Sequence, residues 1–159
     1  MTDPTPPPAP APPAARPSFG PGQIIAIVGS VAIAISSWLD WIKSVGGADA
    51  ESSHEGPAKF LIDYNSQPEG LSIGTLLVIV AIVGIVGALV AQARILSLIA
   101  GGAAVVIGVL FMYQIKSLVD DFGDAADVSF GDLVGIGAYI AILGGAAALV
   151  GGILSLRSS

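Results

Sequence analysis

The chain has 159 residues and a net charge of −6; 53% of the residues are hydrophobic and only 11% are charged. Soluble domains usually carry about 25% charged residues, so this composition argues against a soluble globular domain and against a disordered chain. It indicates a small polytopic membrane protein, and the absence of cysteine excludes disulfide bonds and thiolate metal sites.

The first 22 residues form a segment of their own, with nine of the eleven prolines lying between Pro4 and Pro21. Proline lacks an N–H group and fixes φ, so we expect a disordered tail over residues 1–22 and a transmembrane domain over residues 23–157. The short proline runs suit a flexible spacer, which we favour, or docking to an aromatic groove of a partner.

Four apolar runs without proline follow the tail. They predict an all-α fold with four transmembrane helices in an up-down antiparallel bundle. The spans are expected at about residues 23–42, 71–92, 94–116 and 132–156. The first run is the shortest, and no basic region of the signal-peptide type precedes it, so we expect a retained span. Its aromatic residues Trp38 and Trp41, and Tyr113 of the third run, are expected to anchor at the lipid–water interface.

The joint between the second and third runs, at Gln92 to Arg94, has no glycine, proline, asparagine or aspartate to mark a turn. A continuous helix from Leu71 to Tyr113 would be about 65 Å long, roughly twice the thickness of the hydrocarbon core. We therefore expect a tight hairpin at this joint. Apolar spacing within residues 114–122 predicts that the third helix continues one or two turns beyond the lipid.

The charges fall unevenly on the two sides of the predicted bundle. Residues 40–71 and residues 114–132 each carry −4, whereas the two ends and the tight turn together carry +2. Lysine and arginine are equally numerous on both sides, so the positive-inside rule alone does not decide the orientation. Because Arg94 and Arg157 directly adjoin spans, we expect cytoplasmic termini in a bacterial inner membrane and two acidic loops outside.

Two further patterns bear on packing. Apolar residues at 60–64 are expected to lie on the membrane surface, or alternatively to cap the bundle. Glycines and alanines spaced by four predict close helix contacts, within the chain or, less favoured, with a second copy. The glycines assigned to packing are Gly84, Gly87, Gly108, Gly135, Gly137, Gly144, Gly145 and Gly152.

Residues that carry chemistry are scarce. The single histidine, His54, lies in a polar loop and is interpreted as a solvated side chain; the chain contains none of the common catalytic or nucleotide-binding motifs, so no enzyme activity and no cofactor are expected. Weak candidates for a cation site are the loop carboxylates Asp40, Asp120, Asp121, Asp124 and Asp132. Their spacing departs from the EF-hand order, and solvated acidic loops are the favoured interpretation.

The proline-rich tail, Trp38 at the end of span one and the segment Gly135–Gly144 together resemble small four-span membrane proteins of actinobacterial type. That resemblance implies a topology and no activity. Claudins share four spans and a larger first loop, but this chain lacks the cysteines of their signature, and it also lacks the tetraspanin Cys-Cys-Gly motif.

The expected function is that of a structural or protein-interaction component of the bacterial cell membrane. Its partners would be the lipid bilayer and a membrane protein or further copies of itself, with no nucleic acid. The alternative is a small oligomeric transporter or cation channel whose acidic loops attract cations. Ionisable residues within the spans would favour this alternative, and the sequence has none there.

Overall fold

The structure is a computed structural model that describes residues 19–44, 49–63, 70–90, 94–126 and 128–157, without the side chains of 122–126. Most of the predicted tail therefore lies outside the described residues. The chain is mostly helical. Its elements are α1 (Pro21–Ser36), β1 (Asp40–Ile42), β2 (Glu51–Ser52), a 3-10 helix (Ala58–Leu61), α2 (Ile73–Leu89), α3 (Arg94–Ala126), α4 (Phe130–Leu133) and α5 (Ile136–Arg157).

Two helices, α3 over Arg94–Asp121 and α5, are long and apolar enough to cross a membrane. The other two long helices are also apolar but shorter: α1 has 16 residues and α2 has 17. At 1.5 Å per residue these lengths correspond to about 24 and 26 Å. With 33 residues, α3 continues well beyond Tyr113, in agreement with the extension that the apolar spacing predicts.

The helix boundaries follow local chemistry. Pro21 opens α1, and the N–H of Gly20 donates to the side chain of Gln23 at 2.9 Å. Ser72 caps α2 by accepting from the N–H of Thr75 at 3.1 Å. The expected first span reaches residue 42, whereas α1 ends at Ser36, because the chain leaves the helix there and residues 40–42 pair as a strand.

The long helices pack in a defined order. Helix α5 lies against α1 and α3, and α2 lies against the same two helices on the other side. Gly22, at the start of α1, approaches Ser155 near the end of α5. Gly87, near the end of α2, approaches Ser97 near the start of α3, so these two helix ends lie side by side. Residues 91–93, which include most of the expected hairpin, lie outside the described residues.

Small residues fill the places where the helices meet. All eight glycines predicted to mediate packing are buried, and each lies against another element of the same chain. The fully buried alanines include Ala26 of α1, Ala104 of α3, and Ala141 and Ala148 of α5. The larger core side chains collect at one end of the helices: Trp41, Phe111, Ile115 and Val134.

Helix α5 carries two glycine tracks, which we call the α5 seam. Gly137, Gly144 and Gly151, spaced by seven, face α1 and β1, and Gly145 and Gly152, also spaced by seven, face α3. A seven-residue spacing keeps one helix face against its partner over successive double turns. The partner glycines are Gly22 and Gly29 on α1 and Gly101 and Gly108 on α3.

The contacts along the seam join backbone to backbone. A Cβ atom added at Gly29 would collide with the backbone of Ala148, and one added at Gly101 would collide with the backbone of Leu149. Only glycine permits this approach, which is how helices gain packing energy where hydrophobic burial supplies little.

The end of the helices at which α2 meets α3 is called here the turn end. Gln23, at the start of α1, donates from Nε2 to the carbonyl of Ala88 at 3.0 Å. Arg94, at the start of α3, donates from Nη1 to the carbonyl of Ser155 at 3.0 Å. Each side chain thus satisfies a last-turn carbonyl of a neighbouring helix, where cations are also favoured by the helix dipole.

Candidate functional site

The opposite end of the helices is covered by a structure built from both long loops. This loop-end cap comprises residues 37–44, 49–63, 70–72 and 128–135. Within it β1 pairs antiparallel with β2, and Ile42 forms a bridge with Val134. Backbone hydrogen bonds of 2.9 Å from the N–H of Lys43 to Leu133 and of 2.8 Å from the N–H of Gly135 to Trp41 join the two loops. The loops therefore form one unit.

Trp41 is the centre of the loop-end cap. Its side chain is 1% exposed, and its ring meets Phe111 of α3 edge-on at a centroid distance of 4.8 Å. Its Nε1 donates to the carbonyl of Ser36 at 2.8 Å, which satisfies a backbone group at the end of α1. Gly137 of α5 lies directly beneath the indole.

The three residues expected to be interface anchors, Trp38, Trp41 and Tyr113, differ in exposure. Trp38 and Tyr113 are each 64% exposed, and their place at the lipid–water interface stays a prediction. Trp41 is instead a core residue, which corrects the expectation that it is an anchor. The cause is the end of α1 at Ser36: in the strand that follows, alternate side chains point to opposite faces, so Asp40 is exposed while Trp41 is buried.

Hydrogen bonds fix the first loop on the helix ends. Ser53 donates from Oγ to the carbonyl of Ser37 at 2.8 Å. The N–H groups of Ile73 and Gly74, in the first turn of α2, donate to the carbonyls of Gly56 and Ser53 at 3.0 and 2.8 Å. Groups that a helix terminus leaves unsatisfied are thus satisfied by the loop that covers it.

The apolar segment at 60–64 helps to close the loop-end cap. Leu61 is 6% exposed, and the ring of Phe60 lies 5.7 Å from that of Phe111. The carbonyl of Leu61 accepts a hydrogen bond of 3.2 Å from Nε2 of Gln114, a buried residue of α3. Leu61 and Phe60 thus cover the helix ends, as in the alternative in which the segment caps the bundle. Ile62 and Asp63 are exposed, and Tyr64 is outside the described residues.

The candidate acidic ligands are spread over the surface of the loop end. Asp40, Asp120, Asp121 and Asp132 are exposed, and the side chain of Asp124 is outside the described part of the chain. Asp120 forms an ion pair of 2.7 Å with Lys116, one helical turn earlier. Among the described residues, no three acidic or histidine side chains come close enough together to hold a metal ion.

Asp132 has a structural role in the second loop. One of its carboxylate oxygens accepts from Oγ of Ser129 at 2.5 Å and from the N–H of Ser129 at 3.1 Å, so the two residues form a capping box at the start of α4. The hydroxyl and the N–H of Ser129, with a smaller effect from Lys43, lower the pKa of this carboxyl below its ordinary value. Lys43 also donates to the carbonyl of Gly131 at 2.8 Å.

His54 lies on the surface of the loop-end cap. Its ring is tilted against that of Trp38 at a centroid distance of 5.4 Å, and it covers Gly74 at the start of α2. An exposed imidazole in contact with an exposed indole is consistent with the interpretation of His54 as a surface side chain.

A groove of about 510 Å³ lies between α3 and α4 at the loop end. This volume falls within the range of about 300–1,000 Å³ that is usual for small-molecule sites. It is lined by Val109, Met112, Tyr113, Lys116, Val119, Asp120 and Phe130. We call it the α3–α4 groove; it is an apolar trough with one ion pair at its end.

Of the partner glycines of the seam, sequence reasoning identified Gly108 but missed Gly22, Gly29 and Gly101, and it missed the apolar residues of the groove. The signal for the glycines was present, since Gly22 and Gly29, like Gly101 and Gly108, are seven residues apart. The groove has no such signal, because it depends on Phe130 of another element meeting α3. Comparisons with protein-family models, with curated proteins and with solved structures find no match.

Proposed function

We propose that this chain is a four-span integral membrane protein of the bacterial cell membrane, arranged as an up-down antiparallel bundle with both termini in the cytoplasm. We further propose that it serves as a structural or protein-interaction component, presenting the loop-end cap outside the membrane. The observation that carries the proposal is the distribution of side-chain size across the long helices.

Large aliphatic side chains point outward on all four long helices, while small residues point inward. The exposed residues include Val28 and Ile35 on α1, Ile82 and Val86 on α2, Ile99 and Val106 on α3, and Leu143 and Val150 on α5. Soluble proteins rarely expose apolar surface so continuously, whereas a lipid environment solvates it. No charged residue interrupts the helices between Pro21 and Ser36, Ile73 and Leu89, or Ile136 and Leu156.

The shorter helices fit the same interpretation. Helices α1 and α2 pack alongside α5 and α3, and their exposed faces are equally apolar, so all four share one environment. Their lengths of about 24–26 Å are a few ångströms short of a typical hydrocarbon core, a mismatch that bilayers absorb at modest cost. The exposed indole of Trp38 supports an interface just beyond the end of α1.

The packed interior favours interaction over transport. In the described residues the buried polar side chains are serines and one glutamine, and none is charged. The hydroxyls of Ser30 and Ser97 each donate to a backbone carbonyl at 2.9 Å. An ion-coupled transporter usually keeps ionisable groups along its path, and here close backbone contacts occupy the places where helices meet.

Cysteine labelling in intact cells tests the topology, since the chain has no native cysteine. Suitable exposed positions are Ala50 and Gly131 at the loop end and Phe19 at the turn end; a side chain at Gly131 would meet open space. An impermeant thiol reagent should label Ala50→Cys and Gly131→Cys but not Phe19→Cys, and all three after permeabilisation. Equal labelling of Phe19→Cys and Ala50→Cys would show that α1 does not span.

Two fractionation and flux measurements test the rest. The protein should stay in the membrane pellet after alkaline carbonate extraction, and release into the supernatant would overturn the membrane assignment. Purified protein reconstituted into liposomes should produce no cation flux above that of empty liposomes. A flux that saturates with cation concentration would replace the interaction role with the transporter or channel alternative.

A further inference from the structure

The α3–α4 groove follows the order of chemical groups in a membrane lipid. Its lining on α3 recurs at Val109, Met112, Tyr113, Lys116 and Asp120, spacings of three and four that place all five on one helix face. From the middle of the helix towards the loop end, aliphatic Val109 and Met112 come first and the polar groups then change from phenolic to cationic to anionic, with Val119 beside the ion pair. Resting on the proposed function, this order can be compared with depth in a bilayer.

Helix rise gives that depth. Tyr113 lies 19 residues beyond Arg94, so about 29 Å of helix separates the two, close to the ~30 Å thickness of the hydrocarbon core. If Arg94 marks the boundary of the hydrocarbon core at the turn end, Tyr113 marks the boundary at the loop end. Its ring is 64% exposed, and tyrosine side chains are favoured at such an interface. Lys116 then lies about 4–5 Å further out and Asp120 about 6 Å beyond that. These are headgroup positions.

We infer that the α3–α4 groove binds one phospholipid of the surrounding bilayer whose headgroup carries both a phosphate and a primary ammonium group, as in phosphatidylethanolamine. The acyl chain lies along Val109 and Met112, the phosphate meets the ammonium of Lys116, and the lipid ammonium meets the carboxylate of Asp120. In such a lipid the phosphate is the deeper group and the ammonium the outer one, which matches the order of Lys116 and Asp120 along α3.

The charge pattern discriminates between headgroups. Lys116 and Asp120 are paired at 2.7 Å yet 64% and 60% exposed, so both remain accessible to a headgroup. An anionic lipid would gain from Lys116 but would face Asp120 and the −4 carried by each loop region. A phosphatidylcholine headgroup is neutral but has no N–H to donate to the carboxylate. Only the primary ammonium both balances charge and forms that hydrogen bond.

The second wall of the groove is held in place by the loop-end cap. Phe130 is the first residue of α4, which the capping box of Ser129 and Asp132 begins. The bond from Lys43 to the carbonyl of Gly131 ties α4 to the first loop. The aromatic wall is therefore set before a lipid arrives, which reduces the entropy lost on binding.

Native mass spectrometry of the full chain in detergent tests the inference, with phosphatidylethanolamine, phosphatidylglycerol and phosphatidylcholine of identical acyl chains added in turn. We expect one phosphatidylethanolamine to bind about two- to fivefold more tightly than either other lipid, the range set by exposed ion pairs. Equal binding of the three lipids, or strongest binding of phosphatidylglycerol, would overturn the inference.

Paired variants locate the site. Asp120→Asn should remove the preference for phosphatidylethanolamine over phosphatidylcholine, and Lys116→Gln should weaken binding of all three lipids. Asp49→Asn and Lys59→Gln are matched controls at exposed positions outside the groove and should change neither. Circular dichroism and gel filtration establish that each variant is folded. A preference that survives in the folded Asp120→Asn variant would also overturn the inference.

Different results would contradict the proposed membrane function and the proposed lipid site. A protein that resists carbonate extraction but binds the three lipids equally retains the proposed membrane function and loses the lipid site. A protein released by carbonate loses both.

Discussion

The α5 seam and the loop-end cap hold the same helices by opposite means. Along the seam, glycines such as Gly29 and Gly101 bring backbones into contact, and dispersion between closely packed atoms supplies the attraction. In the cap, Trp41, Phe60 and Phe111 bury large rings against one another. Under the proposed membrane placement the difference follows the solvent: lipid already solvates large apolar side chains, whereas water expels them.

The turn end extends this comparison. There, single side chains donate hydrogen bonds to the last-turn carbonyls of neighbouring helices, as Gln23 does for α2 and Arg94 for α5. At the loop end, the carbonyls at the end of α1 accept hydrogen bonds from Trp41 and Ser53, two residues of the loop-end cap.

The largest effect is expected from Trp41→Ala. This change removes a 1% exposed side chain and its hydrogen bond to the carbonyl of Ser36, so it should lower the free energy of unfolding by about 3–5 kcal/mol. Trp38→Ala is the matched control, because its indole is 64% exposed, and should cost about 0.5 kcal/mol or less. Thermal unfolding in detergent measures both. Equal losses would show that the loop-end cap contributes no core of its own.

The seam is tested by Gly29→Ala, with Gly102→Ala as control. The added methyl group at Gly29 would meet the backbone of Ala148, which cannot move aside, so overpacking should cost about 1–3 kcal/mol. At Gly102 the same methyl meets only the side chain of Leu149 at an ordinary 3.9 Å, and the higher helix propensity of alanine should stabilise the protein by up to about 1 kcal/mol. Opposite signs of the change in Tm are therefore expected. A stabilised Gly29→Ala variant would contradict the close contact of α1 with α5.

The attachment of the 3-10 helix to α3 is tested by Gln114→Met, which keeps the volume but removes the donor to the carbonyl of Leu61. A hydrogen bond of this kind contributes about 1 kcal/mol. Hydrogen exchange should accelerate for residues 58–63, while the amides of α5 should be unchanged. Uniform acceleration across the chain would mean that the loop-end cap and the helices unfold together.

Much of the helical framework was readable from the sequence because it depends on local patterns. The uncharged runs predicted the four long helices, and the spacing within residues 114–122 predicted that α3 continues past Tyr113. The first span was expected to reach residue 42, whereas α1 ends at Ser36, because composition alone does not show where the chain leaves the helix for the strand Asp40–Ile42. Trp41 was misassigned for this reason.

The loop-end cap and the groove were not readable, because they depend on long-range contacts. Ile42 pairs with Val134, 92 positions further along the chain, and no sequence pattern near either residue predicts this contact. The acidic residues of the loops were interpreted as solvated, with a cation site as the less favoured alternative; in the structure Asp120 pairs with Lys116 and Asp132 caps α4. Their roles were decided by neighbours that only the fold supplies.

The smallest effect is expected from Asp132→Asn, and it should depend on pH. The carboxylate accepts two hydrogen bonds from Ser129, and its pKa in the folded protein lies below the value of 3.8 that it has when unperturbed. Because the pKa of this carboxyl is lower in the folded than in the unfolded chain, its ionised form stabilises the fold at pH values above the unfolded-state pKa. This stabilisation is lost as the pH falls through the folded-state pKa. The variant should therefore be slightly less stable than the parent at neutral pH, and the two should converge as the pH falls below 3.8 and through the lowered pKa. A difference between Asp132→Asn and the parent that persists unchanged at low pH would mean that the bonds to Ser129 do not depend on the charge. The charge of Asp132 would then add nothing to the capping box that begins α4 and positions Phe130 in the wall of the groove.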